Sequence, residues 1–371
     1  MGYEDAQAGA HMRTAFRNAE KHYKRYTQAS SLSKSSRKKV PATDLHQVLD
    51  IRKIGAVLGD QKCSVQGVSR FEGPFDWAVY TLDAHPGFYF IPEALSAAQQ
   101  LHWIVESLTT FPQPPNRTNH NAIYGPLKDL WLAYQEGKVL KEIASSTRHL
   151  PSVAESDATR RYIDIDGGVA TAKAWQFCDR REACGQLSKV VPAELLFRKL
   201  RWATLGLQFD WSKRAYDESL PYSMLPTDLA QLAARLAEAA VTEGEFKAEA
   251  AIVNYYGPDD MLGGHVDDME ADWSKPIVSI SLGCKAVFLL GGASREESPT
   301  AMFVRSGDVV LMAGPARRCF HGVPRIFVDS NQSEVPDFAA LVESQKGSSN
   351  LDSVVQYINQ SRINVNIRQV H

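Results

Sequence analysis

The chain has 371 residues, 44% of them hydrophobic, with a formal net charge of −2. That is ample for a buried core in one large domain or two small ones, and it carries no global basic signature of a nucleic-acid binder. No run of 18 apolar residues indicates a membrane span, and no apolar stretch at the N-terminus suggests secretion.

Charge is unevenly placed along the chain. Residues 1–40 hold nine Lys/Arg and three Asp/Glu, a local charge of +6 that leaves about −8 for the remainder. Such an arm attracts phosphates without reading sequence. A short Ser-rich run, Ser35-Ser36-Arg37-Lys38-Lys39, equally fits a solvated linker or a nuclear import signal. Residues 1–12, ending Ala10-His11-Met12, read as an expression scar and are set aside. Residues 13–26 have the pattern of a short basic helix, 27–39 of a flexible link and 44–51 of a second short helix. His85-Pro86 signals a turn before a strand over 87–91. Helical spacing of Leu95, Leu101, Ile104 and Leu108 predicts a helix over 94–108.

The Pro- and Asn-rich stretch 112–126 is expected to be a structured loop. Residues 127–143 read as helix, and 145–188, with no clear period, as an insertion. A helix over 193–200, a strand over 203–209 and a helix over 227–240, with Asp228 in its first turn, follow. Then the pattern changes to short apolar strands over 252–256, 277–282, 286–290, 301–304, 309–312, 324–328 and 363–370. Many short strands with turn signals suggest a sandwich or jelly roll. Five cysteines (Cys63, Cys178, Cys184, Cys284, Cys319), odd in number and without a CxxC pair, argue for reduced thiols over a disulfide framework or zinc finger.

Two segments carry chemistry. His265-Val266-Asp267 is followed 54 residues later by His321. Two imidazoles and a carboxylate form the 2-His-1-carboxylate triad of non-haem Fe(II) oxygenases. In an extended segment residues i and i+2 share a face, so His265 and Asp267 aim at one point, with His321 supplied by a second strand. The Gly263-Gly264 pair ahead of them permits tight backbone approach. An HxD by itself also arises where a surface histidine precedes a solvated acid. The C-terminus changes the balance. Its Arg362-Ile363-Asn364-Val365-Asn366-Ile367-Arg368 alternates as a strand, with two Arg and two Asn on one face. Turned inward, that row is costly unless it binds an anion. Guanidinium groups suit carboxylates, such as the two of 2-oxoglutarate. The alternative is a solvated edge strand with its polar residues outward.

His265-x-Asp267, His321 and Arg362-x-Asn364-x-x-x-Arg368 together resemble the AlkB family of Fe(II)/2-oxoglutarate dioxygenases. Four further stretches are similar to its eukaryotic homologue-one branch, especially plant members. They are Phe111-Pro112-Gln113-Pro114-Pro115-Asn116-Arg117-Thr118-Asn119-His120, Leu200-Arg201-Trp202-Ala203-Thr204-Leu205-Gly206, Asn254-Tyr255-Tyr256 and Phe288-Leu289-Leu290-Gly291-Gly292. The resemblance spans about residues 13–370 and is weakest over 145–188. It implies an α+β fold with a double-stranded β-helix (jelly-roll) core over 249–371, buttressed by N-terminal helices. Ahead of the core come a basic flexible arm, 1–40, and a helical, nucleotide-recognition region, 41–248.

The same resemblance implies Fe(II) on His265, Asp267 and His321, with 2-oxoglutarate and O₂ as co-substrates. Arg362 would take the distal carboxylate of 2-oxoglutarate, assisted by Tyr256. Arg368 and Asn254 would orient the end nearer the metal, with Asn364 in support. The implied reaction oxidises an N-methyl group on a base of DNA or RNA, transfer RNA included, and releases formaldehyde. The target base must leave its stack or already be unpaired. Expected substrate contacts are Arg117 and Asn119 in the loop, Trp202 and Phe209 for stacking, and Asp268 and Glu270 as acceptors for an exocyclic amine. Aromatic residues at such positions also serve as core, and the acidic pair also fits a solvated turn. The leading reading is demethylation of N6-methyladenine in DNA. The alternatives are a transfer-RNA N1-methyladenine demethylase or oxidase, and a nucleic-acid binding protein with vestigial catalysis. The expected compartments are nucleus and cytoplasm, with organelles left open.

Overall fold

Two antiparallel sheets, drawn mostly from the last third of the chain, form the centre of the molecule. The computed structural model describes residues 13–24, 43–59, 63–143, 174–182, 189–210, 212–344 and 349–371. Its strands are β1 (Ser64–Val65), β2 (Val68–Phe71), β3 (Val79–Leu82), β4 (His85–Ile91), β5 (Val139–Ile143), β6 (Ala174–Cys178), β7 (Val190–Pro192), β8 (Trp202–Gly206), β9 (Phe209–Asp210), β10 (Ala215–Tyr216), β11 (Ala250–Tyr256), β12 (Leu262–His265), β13 (Ile277–Gly283), β14 (Ala286–Leu290), β15 (Thr300–Val304), β16 (Val309–Met312), β17 (His321–Ile326) and β18 (Arg362–Arg368). The helices are α1 (Ala15–Tyr23), α2 (Ile51–Leu58), α3 (Ala97–Thr109), α4 (Asn121–Tyr124), α5 (Leu130–Gln135), α6 (Ala193–Arg198), α7 (Thr227–Ala237), α8 (Phe338–Ser344) and α9 (Ser349–Ile358).

The major sheet runs β1-β2-β3-β4-β16-β13-β18-β11-β8, and the minor sheet β12-β17-β14-β15. The two face each other as the jelly roll expected. Period-two alternation in β18 decides which side is which. Ile363, Val365 and Ile367, at most 1% exposed, join Val253, Val278 and Ile280 beneath α3, α7, α8 and α9. Burying each such side chain contributes about 1.5–3 kcal/mol. The opposite, polar face of β18 looks into the space between the sheets. A second apolar cluster there, with Phe88, Phe288, Val310, Met312 and Val323, closes the rest of the interior. On the far side of the minor sheet, Phe16 and Tyr23 of α1 pack on Val287 and Leu289.

Local signals account for several boundaries. Ser96 caps α3 in a reciprocal capping box with Gln99, which starts the helix just after it. Tyr255 is structural, its hydroxyl donating to the Ser107 carbonyl at 2.6 Å. The four described cysteines (Cys63, Cys178, Cys284, Cys319) are free thiols. No helix among the described residues is long and apolar enough to cross a membrane.

Other expectations need correction. The helix predicted over 44–51 begins at Ile51, because Asp50 caps it, accepting from the Lys53 amide, and also pairs with Arg305 at 2.7 Å. Of the helix predicted over 127–143, only α5 forms. Gly137, at φ +63°, ends that region, and β5 then pairs with β6 and β7. The predicted 145–188 insertion thus donates β6 to a small sheet, while most of it lies outside the described residues, as do the predicted scar and link over 1–12 and 27–39. Strands β1 to β4 and β8 belong to the major sheet, so 41–248 and 249–371 share one sheet. Helices α8 and α9 cover that sheet from the C-terminal side and had no counterpart in the sequence reading.

Gly206 shows how tightly β8 turns away from the sheet. It sits at φ +67°, and a Cβ there would lie 2.2 Å from the Glu249 carbonyl oxygen. The left-handed backbone and the clash together should cost Gly206→Ala about 2–5 kcal/mol. Urea unfolding measures this, and a variant as stable as the parent would show that the turn relaxes freely.

Candidate metal centre and active-site cleft

Antiparallel register brings the two histidines together. His265 closes β12, His321 opens β17, and they are direct cross-strand partners with ring centroids 4.4 Å apart. Nδ1 of His265 lies 3.0 Å from the Gly263 carbonyl, and Nδ1 of His321 lies 3.3 Å from the Cys319 carbonyl. A carbonyl oxygen can only accept, so each backbone contact suits an Nδ1–H and turns Nε2 toward the centre of the cluster. Both Nε2 atoms face Asp267, at 3.7 Å from its Oδ1 and 3.6 Å from its Oδ2. One ligand atom from each residue falls within a 4.8 Å cluster, the spacing of ligands around one cation. β12 stops at His265, so strand alternation does not aim Asp267. That carboxylate is aimed instead by Arg368, 2.9 Å away.

The titration state suits a metal. Burial, then the neighbouring His321, push the His265 imidazole down to about 4, so it is neutral near pH 7. Burial alone would raise the Asp267 carboxyl, but Arg368 and the two histidines hold it well below its ordinary range.

The backbone ahead of His265 is clamped from both sides. Gly264 donates its N–H to buried Glu20 of α1 at 2.5 Å, and its carbonyl accepts from Arg295 at 2.7 Å. Phe16 presses so closely on Gly264 that a Cβ would lie 2.3 Å from its ring. This is the close approach for which the glycine pair was suited.

Behind the triad, a cavity runs between the sheets to Arg362. It is lined by Asp267 and His321 at one end and by Tyr256, Arg362, Asn364 and Asn366 along the major sheet. Tyr256 and Arg362 are cross-strand partners and so face the same way. Arg362 is 2% exposed and donates Nη2 to Ser281, yet its Nε and Nη1 have no partner, nor does the Tyr256 hydroxyl. Burial pushes the Tyr256 phenol up to about 12, so it stays a donor. Buried donors left without acceptors are costly, and their convergence on one cavity marks a place for an anion. Asn364 is already engaged, donating to Ser279 and to the Ile280 carbonyl. Asn254 is the cross-strand partner of both Asn364 and Trp202, and none of the cavity lining comes from it.

A buried ionic cluster supports the metal side. Glu270 accepts from Arg317 at 2.8 Å and pairs with Arg368 at 3.3 Å, all three being buried. Tyr216 stands 3.2 Å from Arg368 and 3.4 Å from Glu270. Glu270 is therefore turned away from the solvent side, where an amine acceptor was expected. Neither Arg317 nor Tyr216 had been singled out. Arg317 looks in sequence like its exposed neighbour Arg318, and β10, which carries Tyr216, is two residues long.

In front of His265 lies an open cleft of about 780 Å³, lined by Arg214, Val266, Asp268, Trp273, Ala293, Arg295, Arg318 and Phe320. Of the six expected substrate residues, Asp268 alone reaches it. Asn119 is a loop staple, donating to the Lys199 carbonyl and accepting from the Arg201 amide. The Arg117 backbone is tied to Thr204 and Gln208 on and just after β8. Phe209 is core, packed edge-on against Tyr216 at 5.3 Å.

Known proteins share this chain's pattern. A family model described as the 2OG-Fe(II) oxygenase superfamily matches residues 171–368. The chain is 49% identical over 363 residues to the DNA N(6)-methyladenine demethylase ALKBH1A of Arabidopsis thaliana, covering 96% of each. It is 33% identical to the nucleic acid dioxygenase ALKBH1 of Homo sapiens, over 79% of this chain and 67% of that one. It is 29% identical to the tRNA demethylase abh1 of Schizosaccharomyces pombe, over 79% of this chain and 82% of that one.

The cluster makes a stability prediction. Glu270→Ala leaves two buried guanidiniums short of counter-charge and should cost about 3–5 kcal/mol. A thermal midpoint equal to the parent's would mean that Arg317 and Arg368 find other partners.

Proposed function

The chain belongs to the 2OG-Fe(II) oxygenase superfamily, and from that premise we propose that it demethylates N-methylated bases in nucleic acid, foremost N6-methyladenine in DNA. It is a dioxygenase, and its cofactors are Fe(II), 2-oxoglutarate and O₂. The observation that carries the assignment is the pairing of the His265–Asp267–His321 cluster with the partnerless Nε and Nη1 of Arg362 and hydroxyl of Tyr256 in one cavity. A 49% identical relative named as a DNA N(6)-methyladenine demethylase supports the choice of base.

In this reading His265, Asp267 and His321 would hold the iron, through two imidazole nitrogens and one carboxylate oxygen. Arg362 and the Tyr256 hydroxyl take the distal carboxylate of 2-oxoglutarate, and the burial that makes their empty N–H and O–H costly makes that contact strong. Bound iron would supply the O₂ chemistry in which oxidative decarboxylation of 2-oxoglutarate to succinate and CO₂ is coupled to hydroxylation of the N-methyl carbon, which then leaves as formaldehyde. The remaining work belongs to the chain. Arg368 keeps Asp267 ionised and aimed, and Glu270, itself held by Arg317, holds Arg368. The apolar wall of Phe288, Val310 and Met312 keeps water from the cavity. An unpaired or flipped base enters by the cleft, where Asp268 is placed to accept from an exocyclic amine.

Nucleoside mass spectrometry after incubation with Fe(II) and 2-oxoglutarate tests the substrate. Loss of methyl from N6-methyladenine in single-stranded or bulged DNA, abolished in Asp267→Ala, is expected. Loss confined to a stem-loop RNA carrying N1-methyladenine would move the function to transfer RNA, and binding without turnover would favour a non-catalytic role. A second prediction concerns Arg362→Lys, which keeps the charge and loses the planar fork. It should raise KM for 2-oxoglutarate roughly tenfold to a hundredfold, at 1.4 kcal/mol per tenfold. An unchanged KM would remove Arg362 from the co-substrate site.

A further inference from the structure

The cleft in front of His265 has an unusual rim. Three of its side chains are the guanidiniums of Arg214, Arg295 and Arg318, and its one solvent-exposed carboxylate is Asp268, 3.8 Å from Arg214. Two aromatic rings alternate with these cations. Arg295 lies 4.6 Å from the Phe320 ring, and Arg318 lies 6.0 Å from the Trp273 ring. Trp273 is itself anchored, its indole N–H donating to the Glu270 carbonyl at 2.9 Å and its ring lying 5.6 Å from buried Arg317.

The three arginines are not equivalent. Arg295 is committed to the Gly264 carbonyl and so to the backbone ahead of His265. Arg214 and Arg318 are exposed, the first just before the short strand β10 and the second at the end of a 3-10 helix, Gly314–Arg318. Both open onto the cleft that leads to the metal cluster.

We propose that Arg214 and Arg318 grip the phosphates flanking the target nucleotide and hold a single strand across the cleft, with Trp273 as the platform that positions Arg318. The proposal rests on the nucleic-acid reading above and names the residues that make it work. Guanidinium binds phosphate bidentately, which fixes the register of a strand without reading its bases. Aromatic rings interleaved with cations are the pattern of single-strand tracks, where sequence-tolerant stacking supplements charge. A base lifted into the cavity leaves its neighbours' phosphates at the cleft's edge, where these two side chains stand. Outside the N-terminal arm the net charge is about −8, so the charge of that part of the chain does not draw a strand to the cleft, and local contacts must hold it there.

The test uses the full chain with Arg214→Gln, Arg318→Gln and the double variant. Binding of a fluorescent, unmodified single-stranded DNA is followed by anisotropy across a salt series. Demethylation of the same strand carrying N6-methyladenine gives KM and kcat, and thermal midpoints report folding. Each substitution should weaken binding severalfold and reduce the slope of log K against log salt by about 0.7, the value for one phosphate contact on a single strand. KM should rise with kcat nearly kept, and Arg318→Lys should restore the slope. A folded double variant with the parent's affinity and slope would overturn the proposal. A parent chain that neither binds nor demethylates DNA or RNA would instead overturn the nucleic-acid reading, and the grip with it.

Discussion

The contact between Asp267 and Arg368 holds the site together. It joins a residue in the loop after an edge strand of the minor sheet to the last residue of β18 in the major sheet, across the mouth of the interior. Neither partner is stable alone there, because a single buried charge is strongly disfavoured. Together they are part of a chain of alternating charge running from Arg317 through Glu270 and Arg368 to Asp267. The histidines need only their strand register and two backbone carbonyls. The carboxylate needs the opposing sheet, so the ligand set exists only when the jelly roll is closed.

The polar face of β18 carries a matching cost. Its outer face stabilises the fold through Ile363, Val365 and Ile367, while its inner face leaves Arg362 short of partners. Sequences selected for stability alone would put apolar side chains on both faces of such a strand. An anion that satisfies Arg362 and Tyr256 binds the folded chain and not the unfolded one, so co-substrate and fold stabilise each other. The site is thus a local deficit in hydrogen bonding that the surrounding core tolerates.

How much of this was legible depends on how local the cause is. Alternation in 362–368 and the HxD with its distant histidine express short-range geometry, and both are visible in the chain as written. Helix starts are nearly as local, yet an unread cap at Asp50 displaced α2, and after Gly137 the end of a predicted helix becomes β5. The substrate side was hardest. Arg317 and Arg318 are adjacent and alike, yet one is sealed beneath Trp273 and the other stands at the open cleft. Glu270 follows the metal motif by three residues and was read as a base contact, while the arginines that claim it come from 47 and 98 positions away. Residue type announces that a charge needs a partner and is silent on which wall supplies it.

The position of β18 has a consequence for how the protein is made. Among the described strands it comes latest in the sequence and is a central one, lying between β13 and β11. Synthesis runs from the N-terminus, so both neighbours leave the ribosome before the strand that must join them. Until then the major sheet has an open slot with two unpaired apolar edges, the surface that recruits strands from other molecules. The seven residues that fill the slot also bring Arg362 and Arg368. Completion of the sheet and assembly of the site are therefore one event, and loss of these seven residues would remove both.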